Sequence, residues 1–256
     1  MFFDNKGRAS TELTSKDVYK KSRYYFQINE DLKDKIDLKE IYKNLKENLN
    51  ISITFDDFEE KVKKIKEKVN VDEKTKNLSN CIGVPFVIPK VNVDDLSLVF
   101  KNVFLPAVTN SYKKKFPNYD FVDHVNDDFE KKFKILDGSR YSSFLEMVSK
   151  KDVVGIFYPS MNEFSYPAAL DTIQKLPEIF SLCGPIDLAS VLTGFPQLLS
   201  RNKKYPPMLW FSSIVDSKNQ KVSYHFEPYG YNLTFNKRAH LDHVAEYWWH
   251  SIIVYE

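Results

Sequence analysis

The sequence predicts an α+β protein, in which a helical amino-terminal portion precedes a mixed domain with one clear antiparallel hairpin. The first observation is a break in composition near residue 80. All 12 prolines lie at or after Pro85, and of the 7 glycines only Gly7 precedes Gly83. The second observation is the stretch 208–230, where two strand-like runs flank the polar turn DSKNQ. Because helices and strands also alternate in the later part, an α/β fold stays open as the alternative.

These observations divide the chain into a flexible amino terminus (1–14), a helical portion (15–78) and a mixed α+β domain (79–256). Apolar residues at helical spacing predict three helices in the second part, over KDVYKKSRYYFQI, DLKEIYKNLKENL and DDFEEKVKKIKEKV. Ser15 is a candidate cap for the first of them. In the third, four acids precede five lysines, an order that suits the helix dipole.

The mixed domain contains two candidate buried strands, the short apolar runs CIGVPFVIP and DVVGIFYP. A long helix is expected after Asp94 or Asp95, with a kink or a break at Pro106. Further helices are expected over SRYSSFLEMVSKK, SYPAALDTIQKLP and the largely apolar PIDLASVLTGFPQLLS. The last segment, SIIVYE, either extends a helix that begins at His240 or forms a final strand.

The charge balance and the cysteines restrict the classes of function. Lys+Arg numbers 37 and Asp+Glu 35, so the net charge of +2 produces no strong long-range field for nucleic acid or an acidic membrane. No apolar run approaches the length of a membrane span, and the amino terminus lacks a signal-peptide pattern. Cys81 and Cys183 are isolated from one another. We therefore expect a soluble cytoplasmic protein without a disulfide framework.

The sequence holds no G-x-S-x-G, G-x-G-x-x-G or G-x-x-x-x-G-K-[ST] motif. This favours a protein that binds another protein and needs no cofactor, although it leaves open whether the chain is an enzyme. The candidate binding residues are Glu227, Tyr229 and Tyr231 of EPYGYN, because a tyrosine joins a flat apolar ring to a hydroxyl. The same tyrosines could instead cover the core. A third hypothesis is weak nucleic-acid binding through residues 16–26 and 61–68.

The segment HLDHVAEYWWH (240–250) supports an alternative function, that of a metal-dependent hydrolase. On a helix, His240, His243 and Glu246 share one face, and His225 of the hairpin could complete a zinc or iron site. Because residues 240 and 250 are about 15 Å apart along a helix axis, one adjacent pair at most can bind a single ion. Glu246 or Glu227 would serve as general base. If the chain turns to a strand at Tyr247, the histidines separate and this site fails.

Overall fold

The computed structural model describes residues 1–125, 128–201, 203–239 and 243–256, and it confirms the α+β class. The described residues form seven α-helices, joined in places by short 3-10 helices. They are α1 (Leu38–Asn48), α2 (Phe55–Val71), α3 (Leu96–Val99), α4 (Leu105–Lys115), α5 (Tyr141–Val148), α6 (Tyr166–Lys175) and α7 (Pro185–Gly194).

Ten strands form one large and one small sheet. They are β1 (Val84–Ile88), β2 (Phe121–Asp123), β3 (Phe133–Ile135), β4 (Val153–Asn162), β5 (Phe180–Leu182), β6 (Met208–Trp210), β7 (Ile214–Asp216), β8 (Val222–Tyr229), β9 (Asn232–Ala239) and β10 (Trp248–Tyr255). The large sheet has the order β1-β4-β10-β6-β8-β9-β2, with β5 paired to β10, and β3 pairs with β7. Because the β10–β6 and β2–β9 pairs are parallel and the others antiparallel, the large sheet is mixed.

The two later helices of the amino-terminal portion form as predicted. Asp37 caps α1 and Thr54 caps α2, each through a side-chain oxygen that accepts backbone N–H groups of the first turn. Their apolar stripes are buried, with Leu45 and Phe58 both at 0% exposure. α1 packs on α7 and α2 on β4, so both helices share one core with the sheet. The domain boundary near residue 80 stays a prediction.

The helix predicted over residues 16–28 is wrong, because this segment is extended and bonds to distant parts of the chain. Val18 bridges Phe164, and Phe26 bridges Tyr205 in parallel. The carboxylate of Glu246 accepts the backbone N–H groups of residues 23 and 25 at 3.0 and 2.8 Å. These partners satisfy backbone groups that a helix would have satisfied within itself. The preceding residues also pack on the core, with Phe3 at 1% exposure.

The predicted long helix forms between Leu96 and Lys115, but its helical type changes along the way. Asp95 caps it by accepting the N–H groups of Ser97 and Leu98 at 3.0 and 3.1 Å. Residues 100–104 form a π-helical turn directly before Pro106, which occupies the first turn of α4. Since proline lacks an N–H group, the regular hydrogen-bond ladder is interrupted where the sequence indicates a break.

The hairpin predicted over 208–230 is correct in part. β6 and β8 pair antiparallel, with Leu209 opposite Phe226, but β7 between them pairs with β3. The tight hairpin is formed one strand later by β8 and β9, which are joined through Gly230 and Tyr231. The two candidate strands β1 and β4 are confirmed, and β4 lies between β1 and β10 with nine of its residues buried.

Of the two forms left open for the carboxyl-terminal segment, the strand is confirmed and the helix is wrong, because residues 248–255 form strand β10 in the middle of the large sheet. Residues 243–245 before it are not helical. β10 pairs with β4, β5 and β6, and its residues 248–254 are buried. Sheet pairing on both sides of this apolar segment overrides the amphipathic pattern that predicted a helix.

Candidate functional site

The two predicted binding tyrosines lie at the tip of the β8–β9 hairpin. Tyr229 is opposite Asn232 in the register, so Gly230 and Tyr231 form a two-residue turn. Gly230 adopts φ +64°, in the left-handed region that favours glycine, and no atom lies within 4 Å of the position of a Cβ there. Tyr229 is 78% exposed and Tyr231 54%. Neither ring covers the core, which leaves both available at the surface.

Glu227, the third predicted binding residue, is half-buried and already has partners. Its Oε1 accepts a hydrogen bond from Asn236 Nδ2 at 2.9 Å and lies 3.4 Å from His225 Nε2, beyond the usual hydrogen-bond range. Burial alone would raise the pKa of Glu227, but the neighbouring His225, Arg238 and His124 outweigh it and hold that pKa below its usual value. Burial lowers the pKa of His225, although Glu227 opposes this. The Glu227 carboxylate is therefore already hydrogen-bonded to a neighbouring strand of the sheet.

Tyr231 belongs to a row of stacked side chains, the tyrosine ladder, which consists of Tyr25, Tyr205, Arg201, Tyr231 and Tyr119. Tyr25 stacks on Tyr205 with ring centroids 5.9 Å apart, and Tyr231 on Tyr119 at 5.1 Å. The Arg201 guanidinium carbon joins the two pairs, at 4.1 Å from the Tyr205 ring centre and 5.6 Å from that of Tyr231. The ladder is thus a continuous aromatic and cationic row at the surface.

Backbone pairing between two remote segments holds the ladder in place. Gln27 N–H donates to the carbonyl of Tyr205 at 2.8 Å, next to the Phe26–Tyr205 bridge. Lys204 Nζ donates to the carbonyl of Tyr24 at 3.1 Å. At the other end, the Tyr112 hydroxyl donates to the carbonyl of Tyr231 at 2.5 Å. These contacts bring tyrosines from four parts of the sequence to one surface.

The segments 19–26 and 200–205, which meet at the Phe26–Tyr205 bridge, are also rich in basic residues. They contain no Asp or Glu and supply six basic residues: Lys20, Lys21, Arg23, Arg201, Lys203 and Lys204. Across the described residues, none of the six forms a salt bridge with a carboxylate. We call the ladder and these cations together the ladder surface.

Sequence reasoning singled out part of this surface but assigned it to a helix face. The mixture of bases and aromatics in YKKSRYYF was the available signal. Arg201 and Tyr205 carried no signal of their own, because their role depends on pairing with a segment about 180 residues earlier. Tyr119 likewise joins the ladder only through its stacking on Tyr231.

The predicted metal ligands are not brought together in the part of the chain that the structure describes. His240 lies outside the described residues, and His243 is exposed in the non-helical segment before β10. Glu246 accepts backbone N–H groups of the 19–26 segment, while His225 is fully buried with its ring 4.5 Å from that of Trp210. No group of three or more described His, Cys, Asp or Glu residues could hold a metal ion. Any role of His240 in zinc or iron binding stays a prediction.

A separate polar cluster lies buried at the start of α7. Asp187 is fully buried, and its carboxylate accepts the Tyr141 hydroxyl at 2.7 Å and the Gly184 N–H at 3.0 Å. Burial raises the pKa of Asp187 to about 6, although hydrogen bonds from Cys183, Tyr141 and the backbone oppose it. Burial also raises the pKa of the Cys183 thiol well above its usual value. A thiol of this kind is a poor nucleophile.

Comparison of the chain with models of known protein families, with curated proteins and with solved structures found no match. Within the described ranges, no helix is both long enough and apolar enough to cross a membrane. The functional argument consequently rests on the surface geometry and its chemistry.

Proposed function

We propose that this chain is a cytoplasmic binding protein that docks an acidic partner protein on the ladder surface. The observation that carries the proposal is the joining of two acid-free, basic segments at the Phe26–Tyr205 bridge, beside exposed stacked tyrosines. Tyrosine and arginine are the residues most often found at the energetic centres of protein interfaces. Unpaired lysines around them favour a partner with carboxylates in complementary positions.

The stacking geometry favours a protein over a single-stranded nucleic acid. A base binds an aromatic side chain by stacking on a free ring face. In the ladder, Tyr205 has Tyr25 and Arg201 as ring neighbours, and Tyr231 has Arg201 and Tyr119. These two rings therefore offer a base less free stacking surface than isolated tyrosines would, which favours contact with the side chains of a protein. Because the rings are already stacked, little side-chain entropy is lost on docking.

A charge-reversal experiment tests the proposal. Lys203→Glu/Lys204→Glu changes two exposed cations of the ladder surface, and Lys63→Glu/Lys66→Glu makes the same change in charge on exposed positions of α2. Immobilised wild-type protein is used to retain partners from an extract of the source cells, and a carbodiimide then couples lysines to carboxylates in contact. We expect a partner whose coupling sites map to Lys20, Lys21, Lys203 or Lys204.

The expected affinity loss is at least about tenfold for the ladder variant, with no change for the α2 variant, and it should shrink as salt is raised. Equal retention by both variants, or coupling sites that lie only elsewhere, would contradict the proposal. Binding of a dT oligonucleotide that depends steeply on salt and is lost in the ladder variant would replace the protein partner with nucleic acid.

A further inference from the structure

A second candidate site, which shares no residue with the ladder surface, is a groove of about 650 Å³ on the β8–β9 hairpin. Phe226 and Phe235 are fully buried on the core side of these strands, so the residues that alternate with them face away from the core. We call this site the hairpin groove. Its polar lining comes from β8, β9 and the end of β2, and consists of His124, Glu227, Tyr229, Asn232, Thr234 and Asn236.

Hydrogen bonds fix the side chains on the floor of the groove. Asn236 Nδ2 donates to Glu227 Oε1 at 2.9 Å and to Thr234 Oγ1 at 2.7 Å. The Thr234 hydroxyl in turn donates to the carbonyl of Glu227 at 3.0 Å. Because three neighbouring side chains are oriented by one another in this way, little side-chain entropy is lost when a ligand binds them.

The same network leaves polar atoms that a ligand can reach. Glu227 Oε2 and Asn236 Oδ1 accept no hydrogen bond from the described residues, and neither atom is buried, so both are open to solvent. Asn232 Oδ1 accepts the N–H of Asp120 at 2.9 Å, which leaves the Nδ2 group of Asn232 as a donor. Two acceptors beside a donor match a ligand with several hydroxyl groups, because each hydroxyl can both donate and accept.

The charges around the groove favour an uncharged ligand. Glu227 is the only Asp, Glu, Lys or Arg residue in the lining, and its carboxylate would repel an anion. Burial raises its pKa, but His225, Arg238 and His124 outweigh that effect. Since Arg238 is always protonated, its charge offsets the carboxylate, and a cation gains less from binding there.

Tyr229 adds an open aromatic ring to the groove. Its side chain is 78% exposed, and its ring stacks on no other ring or cation of the described residues, unlike the rings of the ladder. The flat C–H face of a sugar ring packs on such an aromatic face, while its hydroxyl groups remain free for polar contacts. We propose that the hairpin groove binds a saccharide, whose ring packs on Tyr229 and whose hydroxyl groups donate to Glu227 Oε2 and Asn236 Oδ1.

The side-chain amide signals of the ¹⁵N-labelled protein provide a direct test. Asn232→Ser and Asn236→Ser identify the two signals of the groove by their loss. The methyl glycosides of glucose, mannose, galactose and N-acetylglucosamine are titrated one at a time up to about 20 mM, which covers the millimolar affinities that a few contacts provide. We expect at least one glycoside to shift both signals in a saturable way, whereas sorbitol, which has hydroxyl groups but no ring, leaves them in place.

Matched variants separate the two kinds of contact from general effects. Glu227→Gln keeps an oxygen for Asn236 but replaces the free acceptor by a donor, and it should weaken binding of the active glycoside at least about tenfold. Tyr229→Ala removes the ring from an exposed position and should weaken binding at least about threefold. Glu59→Gln makes the same change as the first variant at an exposed position of α2 and should leave binding unchanged.

The proposal fails if no glycoside shifts the two amide signals, or if sorbitol shifts them equally. It also fails if the folded Glu227→Gln and Tyr229→Ala variants bind the glycoside as the wild type does. Saturable shifts with methylamine but with none of the glycosides would replace the saccharide by a cationic ligand.

Discussion

The buried carboxyl of Asp187 predicts an unusual contribution to the pH dependence of stability. Asp187 lies near the first turn of α7, and its partners are the Tyr141 hydroxyl and the Gly184 N–H. Burial raises its pKa from 3.8 to about 6. Because the folded state then holds the proton more tightly than the unfolded chain, this group's contribution is fully present below a pH of about 4. It is lost as the pH rises through about 6.

The magnitude follows from the difference between the two pKa values. A rise from 3.8 to about 6 corresponds to about 3 kcal/mol of unfolding free energy, most of which is lost between pH 4 and pH 6.5. Asp187→Asn keeps an acceptor oxygen for Tyr141 but removes the titration. Asp95, Asp152 and Asp216 have pKa values below the usual range, because their hydrogen bonds outweigh burial. Their contributions increase with pH in both proteins and cancel in the difference.

Urea unfolding followed by tryptophan fluorescence measures this difference at pH 4, 5, 6 and 7. The stability of the wild type relative to Asp187→Asn should fall by about 2 kcal/mol over that interval. Asp56→Asn removes an exposed carboxyl on α2 and serves as the control for loss of a surface carboxyl. A wild-type stability that stays parallel to that of Asp187→Asn, or rises relative to it with pH, would refute the reasoning.

Two further predictions concern packing. Gly184→Ala should destabilise the protein by about 1 to 3 kcal/mol in thermal unfolding, because the added Cβ would overlap the Tyr141 ring and lie 2.6 Å from Ser213 Oγ; an unchanged melting temperature would show that the ring moves freely. Tyr229→Ala should alter stability by less than about 0.5 kcal/mol, because this side chain is 78% exposed at a hairpin tip. A larger loss in urea unfolding would place the Tyr229 ring in the fold.

Only those residues of the candidate sites that belong to a local sequence pattern could be predicted from the sequence. Exposure of Tyr229 and Tyr231 follows from their position in a glycine-containing turn between strands. The tyrosine ladder could not be predicted from the sequence, because Tyr25, Arg201 and Tyr119 come together from remote segments.

The sequence by itself determined the elements whose signals are local. Helical periodicity identified α1 and α2, while short apolar runs identified β1 and β4. Tertiary structure decided the segments 16–28 and 248–255, both of which have helix-like spacing yet are extended. For the first, the competing partners are Glu246 and the carbonyl of Tyr205; for the second, they are strands on both sides. Local spacing shows which faces are apolar, but hydrogen bonding to distant backbone determines whether such a segment becomes helix or strand.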